Sequence, residues 1–178
     1  HRDAVGPLAL LGMDACLMGC FETAWEMRGL ARILVASMAN EPDEGWDYRR
    51  IMTALDEATV SGEGFATVIV DSYQDLHSPE GTAAGSGVTL SATACEKLGP
   101  VKTALDGLAK ELALWIAPGG LVEQTRLTAF ATLRMSANRF FEYRPFDGYY
   151  EARIAPWHDL GDISALLAAS TNAFPQTV

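Results

Sequence analysis

A chain of 178 residues that is 49% apolar and 20% charged is long enough to bury a sizeable core and too apolar to stay disordered. Its net charge of -10, with no run of Lys or Arg interleaved with aromatics, repels phosphate backbones and argues against nucleic acid as a partner. No stretch reaches the about 18 continuous apolar residues of a membrane helix, and residues 1–20 lack the cationic start and apolar run of a secretion signal. The sequence begins at His1 rather than Met, so a leader lost upstream stays open.

In chain order, Leu8 to Met13 is a continuous apolar run after Gly6-Pro7 and predicts a strand buried on both faces. Phe21, Ala24, Trp25, Met27, Leu30 and Ala31 then recur at helical intervals, predicting a helix over about 19–31. Ile33 to Ala36 reads as a second strand, and so short a strand-helix-strand unit makes the two strands parallel. "SMANEPDEGWDY" is a turn-rich, acidic and aromatic loop. Residues 48–59 and 65–76 read as helices, although "ATVIV" in the second is β-branched enough for a strand.

Beyond the loop "SPEGTAAGSG", "VTLSATA" from Val88 alternates as a strand. Helices over 98–116 and 122–135 flank the stop at Pro118-Gly119-Gly120. "NRFFEYRPFDGYYEARIAPWHDL" reads as irregular or strand-like, and a short helix after Asp162 closes an α/β chain with no repeat and no dividing linker. The cysteines, Cys16, Cys20 and Cys95, and the histidines, His1, His77 and His158, have neither zinc-site spacing nor the pattern of a disulfide framework. Gly85-Ser86-Gly87 lacks the full phosphate-binding spacing and reads as a turn.

Chemistry concentrates at the junction "MDACLMG". Ligands and catalytic groups collect where parallel strands end at their carboxyl edge. Period-two geometry puts Asp14 and Cys16 on one side there, with Ala15 on the other. A helix starting within a few residues would turn its positive end toward the sulfur and favour thiolate, while the Asp14 charge works against it. That carboxylate makes sense as the floor of a pocket for a cationic substrate side chain, which supplies the compensating charge on arrival. Two blander readings stay open: Cys16 as a buried packing residue and Asp14 as a helix cap.

Residues 14–55, "DACLMGCFETAWEMRGLARILVASMANEPDEGWDYRRIMTAL", resemble the clostripain family of cysteine peptidases. Asp14, Cys16, Met18, Gly19, Glu22, Ala36, Ser37, Gly45, Trp46 and Tyr48 stand in the order of the family motif. "VTLSATA" and "HDLGDISALL" resemble later family blocks. The resemblance implies a caspase-like α/β fold, a mostly parallel sheet flanked by helices, and hydrolysis of peptide bonds after Arg or Lys. Cys16 matches the nucleophile, which passes its proton to a histidine and forms an acyl-enzyme. Asp14 matches the acid that recognises the basic side chain, and Asp43 and Glu44 are candidates for a second acidic contact, or simply solvated loop charges.

The family's histidine lies upstream of its cysteine, at the end of the preceding strand and next to Gly. His1 is followed by Arg2, and the strand from Leu8 leaves no room for a crossover helix between them. His77 and His158 fall on the wrong side of Cys16 in chain order. The resemblance therefore implies a partial catalytic domain: a heavy chain whose separate light chain carries the histidine, or a truncated piece. It further implies calcium dependence, with no ligands to name, and an extracellular or cell-surface location. The alternative is a noncatalytic peptide-binding or protein-interaction domain that keeps the Asp14 pocket without the dyad.

Overall fold

The computed structural model describes residues 6–57, 60–82 and 88–136. His1, Gly85-Ser86-Gly87, the aromatic stretch from Asn138 to Leu160, including His158, and the closing helix after Asp162 lie outside the described residues. The chain gathers into two compact units, His1–Leu98 and Gly99–Val178. The division falls between Leu98 and Gly99, within the first turn of a helix.

The first unit is built on strands β1 (Leu8–Met13), β2 (Ala31–Ala36) and β3 (Ser91–Ala94), in the order β1-β2-β3. β1 and β2 are parallel, with Met13 opposite Ala36, and helix α1 (Phe21–Met27) is their crossover. β3 returns antiparallel to β2, with Ser91 opposite Ala36. Helices α2 (Tyr48–Glu57) and α3 (Gly62–His77) lie between β2 and β3 in sequence.

β2 is the strand buried on both faces. Ile33 and Val35 join Trp46, Ile51 of α2, and Ala66, Ile69 and Tyr73 of α3 in one core. Leu34 and Ala36 join Ala24 of α1, Cys95 and Leu98 in a second core on the other face. Period-two alternation therefore requires apolar residues at successive positions, and "ILVA" supplies them. β1 departs from the expectation of double burial: Leu8 and Ala9 are exposed and Leu10 and Leu11 only half-buried. Among the described residues it pairs on one side only, with β2, so half of its surroundings are open.

Two helices differ from their sequence outlines for tertiary reasons. The predicted helix over about 19–31 shortens to Phe21–Met27, because Ala31 is already recruited into β2 opposite Leu8. In α3 the β-branched "ATVIV" is helical. Ala66, Ile69, Tyr73 and His77 recur on its buried face, and Ser61 Oγ accepts the Gly64 amide at 3.1 Å as its cap. Burial of that face outweighs the small strand preference.

In the second unit, α4 (Leu98–Ile116) and α5 (Gly120–Ser136) flank a turn where Gly119 and Gly120 have φ of 77° and 63°. Leu133 is buried there against Leu108, Trp115, Ala129 and Phe130. No helix among the described residues is long and apolar enough to cross a membrane.

Candidate active site

Alternation along β1 puts Leu10 on the face packed against Trp46 and α3, and Leu11 and Met13 on the other. Gly12 shares the Leu10 face, and a Cβ there would come within 2.9 Å of the Trp46 ring. The missing side chain is what lets the indole lie across the strand. Asp14 follows in the same phase, just past the strand end.

There the chain turns through residues 15–20. Leu17, with φ 65°, donates its amide to Ala39 O at 3.1 Å, and Gly19 donates to Ser37 O at 2.7 Å. Gly19 is required by this approach, since a Cβ would lie 2.8 Å from the Ser37 carbonyl carbon. The opposing segment is held in turn by Ser37 and Thr89. Ser37 is fully buried, its Oγ donating to Ala39 O at 3.0 Å and accepting the Ala39 amide at 3.1 Å. Thr89 Oγ1 lies 3.1 Å from Ser37 Oγ and accepts the Met38 and Ala39 amides at 3.0 and 3.1 Å. With the Ser37 proton on Ala39 O, the Thr89 hydroxyl donates to Ser37, and every proton is used.

Cys16 is the exposed cysteine of the three; Cys20 and Cys95 are buried. Its Sγ accepts the Glu41 amide at 3.3 Å and faces the Glu41 carbonyl at 3.9 Å. The amide contact serves thiol and thiolate alike, the carbonyl contact only the thiol. Helix α1 starts at Phe21, with the turn from Leu17 to Cys20 between it and Cys16. A main-chain amide from the far loop holds the sulfur. The packing reading of Cys16 is set aside by its exposure, and the capping reading of Asp14 by its partners.

Those partners come from the loop after β2. Asp14 Oδ2 accepts the Trp46 amide at 3.2 Å and the Tyr48 hydroxyl at 2.9 Å. Gly45, at φ 61°, lies against the same carboxylate, where a Cβ would be 2.7 Å from Oδ2. This hydrogen bond raises the Tyr48 pKa from its ordinary 10.0, so the phenol stays a donor through the neutral range. Asp43 and Glu44 sit at the exposed tip of that loop, and the residues that reach Asp14 are Trp46 and Tyr48.

Beneath the loop lies a polar cluster that local sequence patterns did not single out. Glu41 Oε1 accepts the Trp46 indole N–H at 3.4 Å. Glu41 Oε2 and the Tyr73 hydroxyl are both buried without a partner at hydrogen-bonding geometry, yet close enough to influence each other's ionisation. Burial raises the Glu41 pKa, helped by the Asp14 charge and opposed by the nearby Tyr73 hydroxyl and by the Trp46 indole that donates to it. Burial first, and Glu41 second, push the Tyr73 phenol well above its ordinary range. His77 is 3% exposed, its ring tilted against Tyr73 with centroids 4.4 Å apart, and Nε2 lies 3.1 Å from Gly45 O. It supports the loop from below. The helix read over 65–76 stops one residue short of His77, which the sequence leaves in a polar, loop-like context; the structure extends the helix to it and buries it, and no local signal ties it to Gly45.

No group of three His, Cys, Asp or Glu that could hold a metal occurs among the described residues.

The arrangement presents a solvent-accessible thiol and a carboxylate at one strand end, braced by one loop. Among solved structures, the chain is similar to a clostripain from Bacteroides thetaiotaomicron in complex with the peptide inhibitor BTN-VLTK-AOMK. The identity is 21%, covering 92% of this chain and 59% of that one, with a TM-score of 0.53. It is also similar to an inactive zymogen C11 protease from Parabacteroides distasonis, at 19% identity, 93% and 40% coverage and a TM-score of 0.55. A secreted C11 cysteine protease from Bacteroides thetaiotaomicron, "iotapain", matches at 20% identity, 97% and 40% coverage and a TM-score of 0.54. At these identities the likeness establishes the α/β fold of these proteases, and the chain spans between 40% and 59% of their lengths. Curated proteins give no significant match. The model of the clostripain family, peptidase C11, matches residues 3–177, and the chain belongs to that family.

Proposed function

We propose that this chain is the nucleophile-bearing part of a cysteine endopeptidase that cleaves peptide bonds after Arg or Lys. The observation that carries the reading is the pairing of an exposed Cys16 Sγ with an exposed Asp14 carboxylate at one strand end, both held by residues 41–48. In the reaction, Cys16 Sγ attacks the scissile carbonyl carbon as its proton passes to a histidine. The peptide C–N bond breaks, the amine leaves with the proton, and water resolves the thioester. Asp14 receives the basic side chain before the bond to be cut. Asp43 and Glu44, exposed on the same loop, add negative potential at the mouth of the pocket.

The base is assigned to a histidine outside this chain. His77 is committed beneath the loop to Gly45 O, while the edge of β1 away from β2 is open among the described residues. A preceding strand pairing there would bring its carboxyl end beside Cys16, whether it belongs to the same polypeptide or to a separate light chain. Location outside the cell or at its surface is supported by the secreted relative, and the lysine in the inhibitor bound by another supports a basic substrate. Calcium dependence rests on the family resemblance alone. A noncatalytic peptide-binding domain is the competing reading.

The test is hydrolysis of fluorogenic peptides ending in Arg, Lys or Ala, by a protein extended upstream to a His-Gly about 50 residues before Cys16. Cleavage after Arg and Lys that disappears with Cys16→Ala supports the enzyme. Hydrolysis unchanged by Cys16→Ala overturns the nucleophile, and an Arg-over-Ala preference unchanged by Asp14→Asn overturns the pocket.

A further inference from the structure

Both donors to Asp14 end on the same oxygen. The Trp46 amide and the Tyr48 hydroxyl reach Oδ2 at 3.2 and 2.9 Å. An ionised carboxylate offers about four lone-pair sites, two on each oxygen, so this pair fills Oδ2. Among the described residues no other group donates to Asp14, and incoming cations are left Oδ1. A guanidinium achieves its best geometry by laying two parallel N–H groups across both oxygens at once, and that fork is denied here. An ammonium is a compact charge that needs only one oxygen, so it loses less.

The two donors differ in what controls them. The Trp46 amide is main chain, fixed by the loop, and its ring is buried against Gly12. Tyr48 contributes a side chain that is 54% exposed, at the first residue of α2, with its ring stacked on Trp46 at a centroid distance of 6.5 Å. Removing its hydroxyl frees one site on Oδ2 and leaves the ring in place.

We infer that Tyr48 is a specificity-determining residue: by holding Asp14 Oδ2 it biases the pocket toward lysine and away from the two-oxygen grip of arginine. The inference rests on Asp14 being the acid that receives the basic side chain, and it goes beyond that assignment by naming what grades one cation against the other. The Tyr48 hydroxyl acts as a competing donor already in place, and an arginine substrate must displace it to use both oxygens.

The experiment labels Cys16 in the full chain with three peptidyl chloromethyl ketones that differ only in a terminal Lys, Arg or Ala, followed by intact mass. This readout needs no turnover. Each rate is divided by the same variant's iodoacetamide rate, which removes any change in thiol reactivity. In Tyr48→Phe the Arg/Lys rate ratio is expected to rise about 2- to 10-fold, the worth of one net hydrogen bond. In Asp14→Asn both basic reagents fall to the Ala rate. An Arg/Lys ratio unchanged in Tyr48→Phe, with Asp14→Asn still erasing the advantage of basic reagents, overturns the role of Tyr48 and leaves the pocket standing. Basic reagents no faster than Ala in the unmodified chain overturn the pocket and the inference together.

Discussion

The main-chain amide of Glu41 donates to Cys16 Sγ at 3.3 Å, bridging residues 25 apart in sequence. The side chain of the same Glu41 accepts the Trp46 indole, and the Trp46 amide holds Asp14. One loop thus braces both the thiol and the carboxylate, and substitutions in it should be felt at both.

Cysteine accessibility gives the most direct check. Cys16 is exposed while Cys20 and Cys95 are buried, and burial also raises the Cys95 pKa, so little thiolate forms there. Brief treatment of the native chain with iodoacetamide should add one carbamidomethyl group, mapped to Cys16 by peptide mass. Cys16→Ala should take none until denaturant is added. A prompt second adduct would contradict the burial of the other two.

Gly45 should be intolerant of any side chain. Its φ of 61° is left-handed, and a Cβ would lie 2.7 Å from Asp14 Oδ2. Gly45→Ala is expected to cost about 1–2 kcal/mol for the backbone alone, read from urea denaturation, with a further loss from displacing Asp14. In an Asp14→Ala background that further loss should disappear while the backbone cost remains, a coupling that a double-mutant cycle measures.

Thr89 holds the segment opposite the Cys16 turn through the Met38 and Ala39 amides. Thr89→Val keeps the shape and removes the acceptor, leaving the Met38 amide without that partner. A loss of about 1–3 kcal/mol is expected in urea denaturation. Thr89→Ser, which keeps the oxygen, should recover most of it.

Glu41 makes stability depend on pH. Its folded-state pKa is raised above the ordinary 4.5, chiefly by burial, so the folded chain binds more protons than the unfolded chain in the window above that value. Its contribution is fully present below pH 4.5 and is lost as pH rises through the raised pKa. Glu41→Gln retains an oxygen for the Trp46 indole and removes the charge beside Asp14 and Tyr73. The variant should gain stability relative to the parent at neutral pH, and that gain should shrink as acid protonates the parent's Glu41. Denaturation midpoints measured from pH 4 to 8 decide it; a gain that does not vary with pH would count against the titration of Glu41.

The amino-acid sequence by itself determined the α/β alternation, the parallel β1-α1-β2 unit and the strand-end position of Asp14 and Cys16. These follow from hydrophobic period and from the length of the connection, both local properties. It also carried the family motif, whose glycines now have a steric reason: Gly19 admits the Ser37 backbone and Gly45 the Asp14 carboxylate. Only the tertiary structure decided which groups touch the candidate site. Glu41 on Cys16, Tyr48 on Asp14, Thr89 on Ser37 and His77 on Gly45 join residues 25 to 52 positions apart. Such contacts depend on strand register and loop closure, and no period or propensity encodes them. The same reason explains why Asp43 and Glu44 stood out as acidic contacts while Tyr48 entered only as a motif residue with no stated role: charge is visible in a sequence, whereas a hydroxyl aimed at one oxygen of a distant carboxylate exists only once the loop has closed.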